Sequence, residues 1–261
     1  MVAFFTSIDH ANALSISPVK FLLTADPNTT QTIVLKINNT ATNDITVALS
    51  VLGMQQDNAG LPIFGRGLTE AESWVVPERN TVRLRAGETK SVNFIIHIPD
   101  TAMAGSHYLA LAVEPSLPDI KSNGIHSRLV AMLNLQVSGA VREELWIETW
   151  EAKAKVITKK EVSFNLTLKN NGAVEVSLTG SVAIRNWRVE ELFSEPIVLG
   201  NKLLAGSYRA LSPTVRLRDS VSLPGLYQAQ IRINYGLTNQ TSSAIAHVWY
   251  FPLWSRIGAL V

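Results

Sequence analysis

The 261-residue chain has no cysteine. This excludes a disulfide-stapled scaffold, thiolate metal ligands and a cysteine nucleophile. Charge is scarce as well: 17% of residues are Asp, Glu, Lys or Arg, and the net charge is +2. No basic block stands out, so the sequence makes no electrostatic case for nucleic acid as a partner. No apolar run approaches the ~20 residues that a membrane-crossing helix needs. Catalytic signatures are missing too. There is no G-x-S-x-G elbow, no phosphate-binding glycine loop and no close histidine pair. His10, His97, His107, His126 and His247 are scattered, which points to no metal site. The expectation is a protein with no catalytic residues, no metal and no cofactor.

What is present is one strand grammar written twice. Thr32 to Val51 and Val162 to Val182 each run from an alternating apolar stretch, through an Asn-Asn turn, into a second alternating stretch. Period-two alternation buries one face of a strand and wets the other, and two such runs joined by a short polar turn read as a hairpin. A second echo follows in the same order: Leu84-Arg85-Ala86-Gly87 returns as Leu203-Leu204-Ala205-Gly206. Strand-like runs recur throughout, and no long segment has helical period. With 46% hydrophobic residues, each half can bury a core. The reading is all-β, with two immunoglobulin-like β-sandwich domains in tandem, over 14–139 and 140–254.

One stretch breaks the rhythm. Gly53 to Ser73 carries four glycines and mixed charge. It reads either as a functional loop or as an insertion or unrecognised strand pair. Its Arg66, Glu70 and Glu72 are candidate ligand contacts. Trp187 and Arg188, at a turn in the second half, are the other candidates: an exposed Trp beside Arg is a contact residue or the closure of a hairpin. Trp74 reads as a buried sandwich tryptophan. Glu70 with Glu72, and Glu143 with Glu144, are the carboxylate pairs that a glycosidase would need, but the second pair reads as solvated charge. Of the sequons at Asn28, Asn38, Asn165 and Asn239, three fall in or beside turns and Asn165 lies within a strand run; chance and turn chemistry account for them.

The two ends carry their own expectations. Residues 1–13 end in Ala11-Asn12-Ala13, the small-x-small form of a signal-peptidase site, and read as a signal remnant or a disordered start. Trp249 to Trp254 holds four aromatics in six residues, and Arg256 and an apolar 257–261 follow. This segment reads as the last core strand running toward a membrane anchor.

The first half resembles the peptidoglycan-binding-type domain of bacterial WxL-interacting cell-surface proteins. The resemblance rests on Ile16-Ser17-Pro18, Asn38-Asn39, Trp74, Leu84 to Glu88, Ile98-Pro99 and Gly105 to Tyr108. The second half resembles a membrane-proximal immunoglobulin-like domain of bacterial surface proteins, through Gly225-Leu226-Tyr227, Tyr235-Gly236 and the aromatic end. The resemblance implies an extracytoplasmic envelope-binding or scaffolding protein. Its partner would be a cell-wall polymer or a surface protein, and its membrane attachment would come through a C-terminal anchor. The alternative is a likeness to the two-domain periplasmic pilus chaperones, which act by β-strand addition. Those chaperones hold a partner's terminus with basic residues; here Arg142 is near the linker and Lys153 and Lys155 are on the next strand, with no strong match.

Overall fold

The computed structural model describes residues 14–116, 128–200 and 202–254. The expectations for 1–13 and for 255–261 lie outside the described residues. The strands of the first part are β1 (Leu14–Ser17), β2 (Lys20–Ala25), β3 (Thr30–Asn39), β4 (Ile45–Gln56), β5 (Pro62–Gly65), β6 (Val75–Pro77), β7 (Thr81–Leu84), β8 (Thr89–His97), β9 (Gly105–Pro115) and β10 (Leu129–Val137). A 3-10 turn, Glu70–Trp74, precedes β6. The second part holds β11 (Leu145–Ala152), β12 (Val156–Ile157), β13 (Glu161–Asn170), β14 (Leu178–Arg185), β15 (Glu191–Ile197), β16 (Tyr208–Leu211), β17 (Thr214–Arg216), β18 (Gly225–Tyr235) and β19 (Gln240–Tyr250).

Each part is a two-layer sandwich. In the first, β1-β3-β8-β6 faces β2-β10-β9-β4-β5, and β7 pairs β4 below β5. Alternation places Ile33, Leu35 and Ile37 of β3 and Val92, Phe94 and Ile96 of β8 between the layers, with Phe94 fully buried. Trp74 joins this core, as its sequence setting predicts. In the second, β11-β13-β16 with β17 faces β12-β19-β18-β14-β15. Trp150 stacks on buried Phe164 at 4.2 Å, and its indole N–H donates to the Ala229 carbonyl at 2.8 Å.

The doubled grammar marks a doubled hydrogen-bond knot. Asn39 and Asn170, one from each Asn-Asn pair, are wholly buried. The Asn39 side-chain amide donates to the Asn43 and Arg85 carbonyls, and its Oδ1 accepts the Ala41 N–H. The Asn170 amide donates to the Val174 and Leu203 carbonyls, and its Oδ1 accepts the Gly172 N–H. The backbone N–H groups of Asn39 and Asn170 donate to Glu88 O and Ser207 O, one residue past Gly87 and Gly206. Those glycines hold φ of +69° and +71°, which explains the second echo: each copy needs a left-handed residue at that turn.

The compact units divide at Ala140, and the octapeptide 56–63 groups with 141–261 rather than with the strands around it in sequence. Within this second unit Asn58 O accepts the Ala210 N–H at 2.8 Å, and Gln56 Oε1 accepts the Leu204 N–H at 3.1 Å. The stretch Gly53 to Ser73 contains the end of β4, all of β5 and the 3-10 turn, closer to the unrecognised-strand reading than to a loop. Four glycines and short elements erase its period-two signal.

Candidate interaction site

The candidate site lies on β10 and the outer face of its sheet. Odd-numbered residues Ala131 to Val137 of β10 point into the core and are fully buried. On one side β10 pairs with β9 along its whole length, Leu129↔Val113 to Val137↔Gly105. On the other, β2 pairs in parallel only from Met132↔Lys20 onward. The Met132 N–H donates to Val19 O, and the Ser138 N–H donates to Ala25 O, both at 2.9 Å. Even-numbered amides of β10 therefore point toward β2. By the same alternation the Val130 N–H and C=O point outward, beyond the start of β2. Among the described residues no strand pairs that edge. An open strand edge is a template for another extended chain.

The sheet face beside this edge is apolar and shallow. Ala110 and Ala112 of β9 and Leu52 of β4 are buried in a cluster separate from the sandwich core, with Phe64 and Val130 packed against them. A groove of about 740 Å³ runs over Ser50 and Leu52 and is rimmed by Arg66, Glu72, Glu114 and Arg128. Arg128 and Glu114 form an ion pair across the β9–β10 ends. Glu72 is committed to its own turn: its carboxylate accepts the N–H groups of Gly67, Leu68 and Thr69, at 2.9, 2.7 and 3.1 Å. Thr69 completes a capping box by accepting the Ala71 N–H. Gly53 makes room for this turn, since a Cβ there would lie 2.5 Å from Glu72 Oε1. Arg66 is exposed, and its side chain makes no hydrogen bond or ion pair among the described residues.

Of the five candidates, Arg66 and Glu72 therefore meet at one groove. Glu70 sits exposed on the first turn of the 3-10 segment and does not line it. Trp187 and Arg188 belong to the second unit, at the β14–β15 tip. Trp187 is 69% exposed, and the Arg188 guanidinium stacks over its ring at 4.6 Å. Asn186 closes that tip by accepting the N–H groups of Arg188 and Glu190. Glu114, Arg128 and Val130 were missed by sequence reasoning. The one available signal was a pair of opposite charges at the ends of two long apolar runs, and only the β9–β10 register gives it meaning.

Four further residues correct or refine the sequence reading. Arg142 is engaged with Glu144 at 2.9 Å. Asn28 and Asn239 hold φ of +59° and +52°, so their turns account for two of the sequons. Glu143 is no solvated bystander. Its carboxylate accepts the Leu237 N–H at 2.7 Å and both the N–H and the hydroxyl of Thr238, capping the β18–β19 turn. The Thr238 hydroxyl, followed by the Leu237 N–H, holds its pKa below the ordinary 4.5. A carboxylate with a depressed folded value stabilises above the unfolded value, and the effect is lost as pH falls through the folded one. Glu143→Gln should flatten the acid limb of the stability curve below about pH 4.5 and cost about 1–2 kcal/mol at neutral pH. Thermal melts across that range check both.

Among the described residues no group of three or more His, Asp or Glu is placed to hold a metal. His97 Nδ1 lies 2.9 Å from the Thr30 hydroxyl, and the His107 ring packs on Trp74 at 4.7 Å.

No family model matches the chain, and no curated protein matches it by sequence. Solved structures do. A chain from the chaperone–tip adhesin complex of CFA/I fimbriae biogenesis aligns at a TM-score of 0.51 with 10% identity, covering 90% of this chain and 98% of that one. The class 5 fimbriae chaperone CfaA aligns at 0.48 with 11% identity, over 92% and 100%. The E. coli chaperone DraB aligns at 0.41 with 12% identity, over 91% and 98%. At such identities the first of these speaks for fold alone, and the fold is two immunoglobulin-like sandwiches in tandem, as the alternation predicts.

Proposed function

We propose that the chain is a non-catalytic, extracytoplasmic binding protein that holds a partner polypeptide by strand addition along β10. The observation that carries this reading is the open outer edge at Val130, where the β2 ladder stops short of the β10 start. Strand addition draws affinity from main-chain hydrogen bonds and specificity from pockets for alternate side chains. The apolar face beside this edge, where Phe64 and Val130 cover Ala110 and Ala112, offers contacts for such side chains. The fold likeness to a chain of a chaperone–tip adhesin complex supports the same choice. The partner is then a surface protein with an exposed strand-forming segment. A wall polymer is the weaker reading, because Glu72 is spent on its own turn and Arg128 on Glu114, leaving Arg66 to carry it.

Val130→Pro tests the reading. Proline removes the outward N–H, and because Val130 and Ala112 form a non-hydrogen-bonded pair, no β9 bond is lost. Binding of ten-residue alternating apolar peptides, read by fluorescence anisotropy, should weaken about tenfold. Hydrogen exchange on the unmutated chain should gain protection at Val130 when peptide is added. Unchanged peptide affinity in the proline variant, or protection gained at another edge instead, refutes strand addition at β10.

A further inference from the structure

The aromatic end of the second unit is not used by the site on β10. We infer that it is a docking face for an anionic lipid surface. Alternation splits β19 at its end: Tyr250 turns inward and is 3% exposed, while Trp249 and the following Phe251 turn outward. The outward pair stack on each other, ring centroids 5.9 Å apart and 8° from parallel. Trp249 is 45% exposed, Leu253 64% and Trp254 58%. These residues therefore do not complete the core, which Val248 and Tyr250 already fill.

The neighbouring edge supplies the charge. β12 runs beside this end in parallel, pairing Val156 with Trp249 and Ile157 with Tyr250. The Trp249 N–H donates to Lys155 O, and the Phe251 N–H donates to Ile157 O, both at 2.8 Å. Val156, on the same face as Trp249, is 55% exposed. The segment 153–160 carries Lys153, Lys155, Lys159 and Lys160 and no acid. Of these, Lys160 is paired with Asp219. Lys153, Lys155 and Lys159 are exposed and make no side-chain ion pair among the described residues. The sequence continues past Trp254 with Ser255-Arg256 and the apolar 257–261. The sequence-wide charge count hid this local cluster, because the strand pairing, not the spacing, sets it beside the rings.

Protruding indole and phenyl rings on a strand whose paired neighbour segment carries exposed, unpaired lysines fit a bilayer surface better than a protein partner. Aromatic rings insert at headgroup depth without needing a shaped pocket, and clustered lysines are drawn to anionic headgroups. The lysines that a chaperone likeness would assign to a partner's terminus are, in this reading, lipid contacts.

The test is flotation of the full chain with vesicles of equimolar phosphatidylglycerol and phosphatidylethanolamine, against vesicles of phosphatidylcholine. Binding should be at least about tenfold tighter to the anionic vesicles, fall with added salt and blue-shift the tryptophan emission. Lys153→Gln with Lys155→Gln should weaken it about fivefold per lysine. Trp249→Ser with Phe251→Ser should weaken it about tenfold or more, with circular dichroism melts of all variants verifying the fold. Three results overturn the proposal: no vesicle binding by the unmutated chain, equal binding to both vesicle types, or unchanged binding in the serine variant. Self-association that the serine variant abolishes, without vesicle binding, assigns the face to a protein contact instead.

Discussion

Asn170→Ala is expected to destabilise the second unit by about 3–5 kcal/mol in urea unfolding followed by circular dichroism. The asparagine is fully buried and makes three side-chain hydrogen bonds, to Val174 O, Leu203 O and the Gly172 N–H. Alanine leaves two carbonyls and one N–H without partners in a site where water has little room. Each such orphan costs about 1–3 kcal/mol. Asn170→Asp should be at least as damaging. A carboxylate still accepts from Gly172, but it cannot donate to the two carbonyls, and it adds a buried charge. Asn39→Ala should damage the first unit to a similar degree, since its knot also satisfies two carbonyls and one N–H, the local pair at the same i+4 and i+2 offsets. A loss below about 1 kcal/mol at either position would mean that water or a shifted loop replaces the amide, and the knot would not be what the repeat preserves.

Those two asparagines also mark how far the sequence could be read. The period-two runs of β3, β8, β13 and β18 declare both their strands and their buried faces, because alternation is a local consequence of the pleat. The Asn-Asn repeat was visible too, but its meaning was not. Nothing local tells Asn39 from Asn38, or Asn170 from Asn171; burial against a turn that starts 46 or 33 residues onward decides it. The site was legible only in part, for the same reason. Arg66 and Glu72 stood out because they interrupt the rhythm of 53–73. Val130 sits in an unremarkable apolar run, and its open amide exists only because β2 starts pairing at Met132. The grouping of 56–63 with the second unit was likewise invisible, since the stretch reads as the tip of a hairpin.

That octapeptide leads to the other large effect. Arg209→Ala is expected to cost about 3–4 kcal/mol and to raise the exchange rates of the 56–63 amides. Arg209 is 4% exposed, and its guanidinium donates to Leu199 O at 3.1 Å and Lys202 O at 3.0 Å. Burial pulls its pKa down from the ordinary arginine value, yet a guanidinium remains charged at any pH where the fold exists. Backbone carbonyl acceptors offset the cost of burying this cation. Two glycines make that enclosure possible. A Cβ on Gly60 would lie 2.8 Å from one guanidinium nitrogen and one on Gly200 would lie 3.0 Å from the other, with φ of +86° and +81°. Arg209→Lys should fall between wild type and alanine, because one ammonium cannot span both carbonyls in the plane of the fork. Gly60→Ala should loosen the same segment from the opposite side, through the clash and the left-handed backbone together. Hydrogen exchange separates this account from simple loss of packing. If Arg209→Ala lowers stability but leaves 56–63 protected, the Gln56 and Asn58 hydrogen bonds hold the segment and the arginine does not.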